Sequence, residues 1–241
     1  MNRNEFFQAL PITKLHLRLT HATLEICTDD IEDVHVMASG SQGEVDALRI
    51  SAAADALRLE QPLGKKSPGA WLQIVIRLPR SWKGAITART ISGWMNLRSL
   101  TGTDLSLTTL SGAILANEMH FITVTARTIS GDVKLSQAVC DKCCLLGVTG
   151  LLSALDVQLK QTRAATLTST VQLSLSAPFE ALALASLTGD VCVDAPVILC
   201  NGALRSASGR LHAEGVSIVD SGPKVRAITL TSDLDITSTI E

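Results

Sequence analysis

Ala88-Arg-Thr-Ile-Ser-Gly-Trp-Met-Asn-Leu97 returns further along the chain as Ala126-Arg-Thr-Ile-Ser-Gly-Asp-Val-Lys-Leu135. Looser copies run from Leu107 to Ala116, Leu184 to Val193 and Leu204 to Ala213. We anchor each copy on the residue after the Ser or Thr of its Ser-Gly pair. The anchors are Gly93, Gly112, Gly131, Gly150, Ser169, Gly189, Gly209 and Ser232. The first four steps are each 19 residues, the next two 20 and the last 23. A fixed period of this length marks a solenoid, in which each repeat is one turn of a continuous coil.

The columns of the repeat read as depth. Five residues before the anchor stand Ala88, Leu107, Ala126, Leu145, Ala164, Leu184, Leu204 and Ala227. Two before it stand Ile91, Leu110, Ile129, Val148, Leu167, Leu187, Ala207 and Leu230. The positions two and four after it are apolar in every copy as well, from Met95 and Leu97 to Leu234 and Ile236. Spacing by two places side chains on one face of a strand. The step from five before to two before breaks that parity, which predicts a bend between them. The expected fold is all-β: a parallel β-helix, or β-solenoid, of about eight coils of 19–20 residues with an N-terminal β cap. Coils stacked about 4.8 Å apart would make a rod roughly 35–40 Å long around one apolar interior.

The residue just before the anchor is always Ser or Thr, and the residue three before it is a hydroxyl in every copy except Gly147. Both columns are expected to form outward hydroxyl ladders, since Thr suits strands. Gly93, Gly112, Gly131, Gly150, Gly189 and Gly209 are read as structural turns. A corner with positive φ costs glycine nothing; a straight strand in which glycine is merely small is the alternative. The corner reading would charge Ser169 and Ser232 about 1 kcal/mol each.

Residues 1–83 lack the period and are expected to form the cap, with 84–241 as the coils, the two being continuous. Leu15-His-Leu-Arg-Leu19, Leu24-Glu-Ile26 and Trp71-Leu-Gln-Ile-Val-Ile-Arg-Leu78 alternate as half-buried strands do. Gly64-Lys-Lys-Ser-Pro-Gly69 and Asp220-Ser-Gly-Pro-Lys224 read as loops. Little chain follows Ile236, so Leu234 and Ile236 are expected to lie at an open end of the rod, where copies would meet.

A strand ending in Leu78-Pro79, a basic turn, then Ile86-Thr-Ala-Arg-Thr-Ile-Ser-Gly93 and repeated Ser-Gly-Asp-Val turns resemble the bacterial putative-adhesin family, domain of unknown function 4097. The resemblance covers nearly the whole chain. It implies a β-solenoid with an N-terminal β cap, and no catalytic residues to carry over. Members of that family often sit beside a membrane helix or are exported, which makes an envelope-associated adhesin or stress module a second reading.

Composition narrows the function. No apolar run approaches the roughly 20 residues that cross a bilayer, so no integral membrane segment is expected. The first eleven residues hold too short an apolar stretch for a signal peptide. A cytoplasmic location is expected, with envelope association the alternative. A net charge of −2, no Tyr and 3% aromatics give no reason to expect nucleic acid as a partner.

Chemistry-bearing residues are scattered. Cys140-x-x-Cys143-Cys144 resembles half a zinc site, but no second pair follows. Cys143 shares the column of Ile86, Leu105 and Val124, so these thiols read as core residues. Asp190 and Asp194, with Asp156 nearby, are the densest carboxylates a carbohydrate-active enzyme could use. His212 is placed one coil beyond Cys192, a candidate Cys–His pair. Arg89, Arg127 and Arg205 share a column and read as a salt-bridged surface, or else as an anion-binding patch. We expect no catalytic, cofactor-binding or metal site. The expected function is a non-catalytic scaffold or interaction module that assembles into homo-oligomers through its ends or binds a protein partner not identifiable from the sequence.

Overall fold

The computed structural model describes residues 1–9, 12–62, 69–196, 199–215, 217–218 and 222–238, without the side chains of 199, 217 and 218. Of the two predicted loops, residues 64–68 and 220–221 lie outside these residues. The repeats form the predicted all-β solenoid, stacked in parallel register. Ile114 pairs with Met95 on one side and Val133 on the other, and Leu152 continues from Val133. A step of nineteen residues along the chain is thus one strand spacing through the stack. The columns seven and five before the anchor, and two and four after it, line the core. Leu107, Ala126, Leu145, Met95, Ile114, Val133 and Leu152 are all fully buried.

Between those columns the sequence reading needs correction. No bend separates the residue five before the anchor from the residue two before it. Strand alternation runs unbroken, as in the pattern of Ala85–Ser92, where Ile86, Ala88 and Thr90 are buried and Ile91 is not. The hydroxyl column three before the anchor therefore points inward: Thr109 is 2% exposed and Thr229 1%. The apolar column two before it points outward: Ile91 is 41% exposed, Ile129 51% and Leu230 47%. The chain first turns at the Ser-Gly pair, after which burial resumes at Met95 and Leu97. A second bend follows six residues past the anchor, where Ser99, Glu118, Gln137 and Asp156 each adopt φ near +50°. These four non-glycine residues stack in successive coils and restore the inward direction to Leu100, Met119, Ala138 and Val157.

At both ends the order of coils in space departs from the order in the chain. The strand Lys14–Leu19 lies between Ala56–Glu60 and Ala85–Ser92. Likewise Ala22–Asp29 lies between Leu72–Pro79 and the start of Met95–Ser111. The excursion through residues 30–84 then closes this end. Val34–Gly40 runs antiparallel on Leu72–Pro79, Asn2–Phe7 on Val34–Gly40, and Arg49–Ala53 on Ala56–Glu60. The short helix Gln42–Ala47 drops Val45 into the core, and Leu48 follows it there. Gln61, itself buried, accepts the Thr20 and His21 N–H groups and donates to Glu44, joining the cap to the first coil. Among the described residues no helix is long and apolar enough to cross a membrane.

The opposite end mirrors this. Lys224–Thr229 is inserted between Ala181–Ser186 and Leu199–Ser206. Leu234–Ser238 is inserted between Val191–Ala195 and Leu211–Glu214. Leu234 and Ile236 are consequently buried and flanked on both sides. The end coil is formed by residues 199–214 instead. The last segment reaches back one place because its apolar columns are then covered from both directions, whereas at the tip only one side would be.

Candidate functional site

The repeat motif is first of all a joint between coils. The residue before each anchor donates to the carbonyl two before the anchor in the adjacent coil. Thr149 Oγ1 donates to Ile129 O at 3.2 Å, and its N–H donates to the same oxygen at 2.9 Å. Thr168 repeats this with Val148, Thr188 with Leu167, Thr231 with Leu187 and Ser208 with Leu230. The aspartate after the anchor caps the next coil: Asp132 Oδ1 accepts the Leu151 N–H at 3.0 Å, Asp190 accepts that of Asp233, and Asp233 that of Arg210. These short side chains are chosen for reach to a neighbouring backbone, the same property that favours them in turns.

The anchor glycines serve this joint in a way only partly foreseen. Positive φ holds at Gly93 (128°), Gly131 (158°) and Gly150 (106°) but not at Gly112, Gly189 or Gly209. What all six share is closeness. A Cβ at any of them would run into the carbonyl oxygen of the residue stacked against it, which is Ala22 of the cap for Gly93 and another anchor for the rest, such as Gly93 O for Gly112 or Ser232 O for Gly209. Ser169 and Ser232 do not carry positive φ, so the predicted penalty does not arise. Their corners have a second form. The Ser169 N–H donates to Thr166 Oγ1, the Gly189 N–H to Ser186 Oγ and the Gly209 N–H to Ser206 Oγ. The inward hydroxyl column is what makes those bonds.

The catalytic candidates are taken up by the same structural work. Asp190 holds the backbone of Asp233, and Asp194 accepts from Thr237 Oγ1 at 3.4 Å. His212 is not beside Cys192. Both are in register with Asp235, which lies in the inserted strand between them. The Cys192 thiol is pushed up by burial and then by Asp235 and Asp190, the reverse of what a nucleophile needs. His212 lies instead 3.6 Å from Glu214.

The other cysteines are free among the described residues. Cys143 is held well above the ordinary thiol range by the hydrogen bond its S–H donates to Cys140 and by full burial. Cys140 and Cys143 sit in core columns and pack as apolar side chains, while Cys144 is half-buried on the outward side of the strand. No three His, Cys, Asp or Glu residues cluster closely enough to hold a metal ion among the described residues.

Two surfaces stand out against this background. At the C-terminal tip, Leu211–Glu214 has only Leu234–Ser238 as a neighbour among the described residues. Leu211 occupies the column of Met95 and Val133, which are fully buried, yet it is 50% exposed. Along the side, the outward apolar column forms a row from Ile91 through Leu110, Ile129, Val148, Leu167 and Leu187 to Leu230. Sequence reading assigned this row to the core. The available signal is that alternation continues unbroken if Thr90 and Thr109 face inward; the bend follows only from reading both apolar columns as core, which breaks strand parity between them. The arginine column has no salt bridges: Arg89, Arg127 and Arg205 make no ion pair among the described residues.

The family described as Toastrack DUF4097 matches residues 12–239. No curated protein matches the chain. Among solved structures, a putative adhesin from Parabacteroides distasonis aligns over 98% of this chain and 97% of its own, at 11% identity and a TM-score of 0.63. A putative adhesin from Bacteroides fragilis aligns over 99% and 97% at 14% identity and a TM-score of 0.57. A putative lipid binding protein from Parabacteroides distasonis aligns over 100% and 96% at 12% identity and a TM-score of 0.51. At these identities the likeness is one of fold.

Proposed function

We propose that this chain, which belongs to the Toastrack DUF4097 family, is a non-catalytic, adhesin-like binding module that self-associates end to end through its C-terminal tip. The observation that carries the second part is the strand Leu211–Glu214. It offers, among the described residues, one unpaired edge, four exposed residues and a leucine in a column that is buried elsewhere in the stack. An open strand edge is a template for another strand. A second tip laid against it would cover Leu211 in the way that each coil covers the next.

The coarser part of the reading draws support from the fate of the candidate chemistry. Asp190 and Asp132 accept backbone N–H groups, Asp194 accepts the Thr237 hydroxyl, burial pushes the Cys192 thiol up, and Cys140 and Cys143 are packed in the core. The fold neighbours described as adhesins and as a lipid binding protein favour a surface that binds over one that reacts.

Light scattering on a size-exclusion column tests the assembly. The expected result is a mass above 25.5 kDa that grows with concentration, and a return to the monomer in Leu211→Glu. A strict monomer at every concentration removes self-association through the tip.

A further inference from the structure

We propose that the outer face carrying the row from Ile91 to Leu230 docks onto an anionic phospholipid surface. The row lies at one border of a sheet face whose next two outward columns are four and six residues before each anchor, followed by a third, eight before it, that holds Lys14, Lys142, Lys224 and Asp104. The columns four and six before hold Arg58, Arg18, Arg89, Arg127, Arg163, Arg226 and Arg205, all exposed. Their register follows the stack, from Arg58 beside His16 and Arg18 beside Arg89 to Arg226 beside Ala203. The only acid in these two columns is Glu60. None of the seven arginines makes an ion pair among the described residues. Yet acids outnumber bases in the chain as a whole, 23 Asp and Glu against 21 Lys and Arg. Positive charge is thus concentrated on one face of a molecule with a net charge of −2.

The combination selects the partner. Arginines alone would suit any polyanion. A nucleic acid would be met by stacking aromatics, and the chain has 3% aromatic residues and no Tyr. It has no use for a row of aliphatic side chains. A bilayer surface uses both at once, headgroup phosphates for the guanidinium groups and the acyl boundary for the aliphatics. The row spans six coil steps, roughly 30 Å at about 4.8 Å each. Trp94, one corner past Ile91 and 61% exposed, adds the aromatic that favours the membrane–water boundary. The rod would lie along the membrane rather than through it.

Co-sedimentation of the full chain with vesicles tests this. Phosphatidylcholine vesicles containing one-third phosphatidylglycerol should bind the protein, increasingly so as salt is lowered, and pure phosphatidylcholine should not. Losing two arginines in Arg89→Gln with Arg127→Gln should weaken binding about 25-fold, from roughly fivefold per arginine near an anionic surface. Leu110→Ser with Ile129→Ser should also weaken it, with the unfolding temperature held near that of the parent because both residues already face solvent. Leu211→Glu, which separates tip association from docking, should bind vesicles as the parent does. The proposal fails if the parent chain stays in the supernatant with both vesicle types. It fails equally if the arginine pair can be replaced without effect. Tight binding to single-stranded DNA or dextran sulfate that Leu110→Ser with Ile129→Ser leaves unchanged would also overturn it, and would reassign the face to a soluble polyanion.

Discussion

Thr231 donates its hydroxyl to the carbonyl of Leu187 at 3.2 Å, across 44 residues of chain. The repeat that lies between them in sequence is displaced outward, and Ser208 makes the equivalent bond at 3.1 Å to Leu230, a residue that follows it. The last repeat in the chain is therefore the penultimate one in the rod, and this inversion decides where the molecule can be altered.

Leu234→Ala should destabilise the fold by about 3 kcal/mol, the ordinary cost of truncating a buried leucine. Leu211→Ala, in the same column but half exposed, should cost less than about 1 kcal/mol. Urea unfolding of the two variants checks this. Equal losses would mean that residues 199–214 are covered as well as residues 224–238 are.

Alanine at Gly131 or Gly189 should cost about 2–3 kcal/mol, because the new Cβ meets the backbone of the stacked anchor and the coils must part to admit it. Gly43→Ala is the control. It lies in the helix Gln42–Ala47 with nothing within 4 Å of the added Cβ. It should stabilise by about 0.5 kcal/mol through the unfolded chain. Thermal unfolding of the three variants separates close approach from a general intolerance of side chains.

The inward hydroxyls divide into two groups with opposite expectations. Ser186 Oγ accepts the Gly189 N–H at 2.9 Å, so Ser186→Ala leaves a buried donor unmet and should cost about 1–2 kcal/mol. Thr109 Oγ1 and Thr128 Oγ1 are buried without a hydrogen-bond partner among the described residues. Thr109→Val should therefore be neutral or stabilising by up to about 1 kcal/mol. A destabilised Thr109→Val would show that this hydroxyl does have a partner in solution.

Cys143 makes the molecule sensitive to alkali. Its thiol is held above the ordinary value of 9.0 in the folded state, so the unfolded chain releases the proton first as pH rises. A raised folded value means stability that is complete below about pH 9 and declines above it. Cys143→Val, matching Val124 in the same column, should flatten that decline above about pH 9 in urea titrations. In the parent, Cys143 should stay unreactive to Ellman's reagent near neutral pH until the protein unfolds. Rapid labelling of Cys143 in the folded chain would contradict the burial.

The period of nineteen was legible in the sequence because a stacked coil must put the same kind of side chain at the same depth each time. Glycine at the anchor and a hydroxyl before it followed from the same rule. So did the core columns around Met95 and Leu107, and the packed role of Cys140 and Cys143. The direction of two columns was not legible. A threonine can face inward if its hydroxyl finds a corner N–H, and an isoleucine can face outward if nothing forbids it. The choice between them rests on whether the strand bends before Ile91 or after it. Only the tertiary structure placed that bend at the Ser-Gly pair. Sequence periodicity sets where each repeat begins and ends but carries no label for which repeat lies beside which. Each repeat presents nearly the same edge, so any two can pair. The order at the ends is decided by cover: a coil gains more from two neighbours than from one. That is why Leu234 is interior, Leu211 is exposed, and the tip of the rod is not the end of the chain.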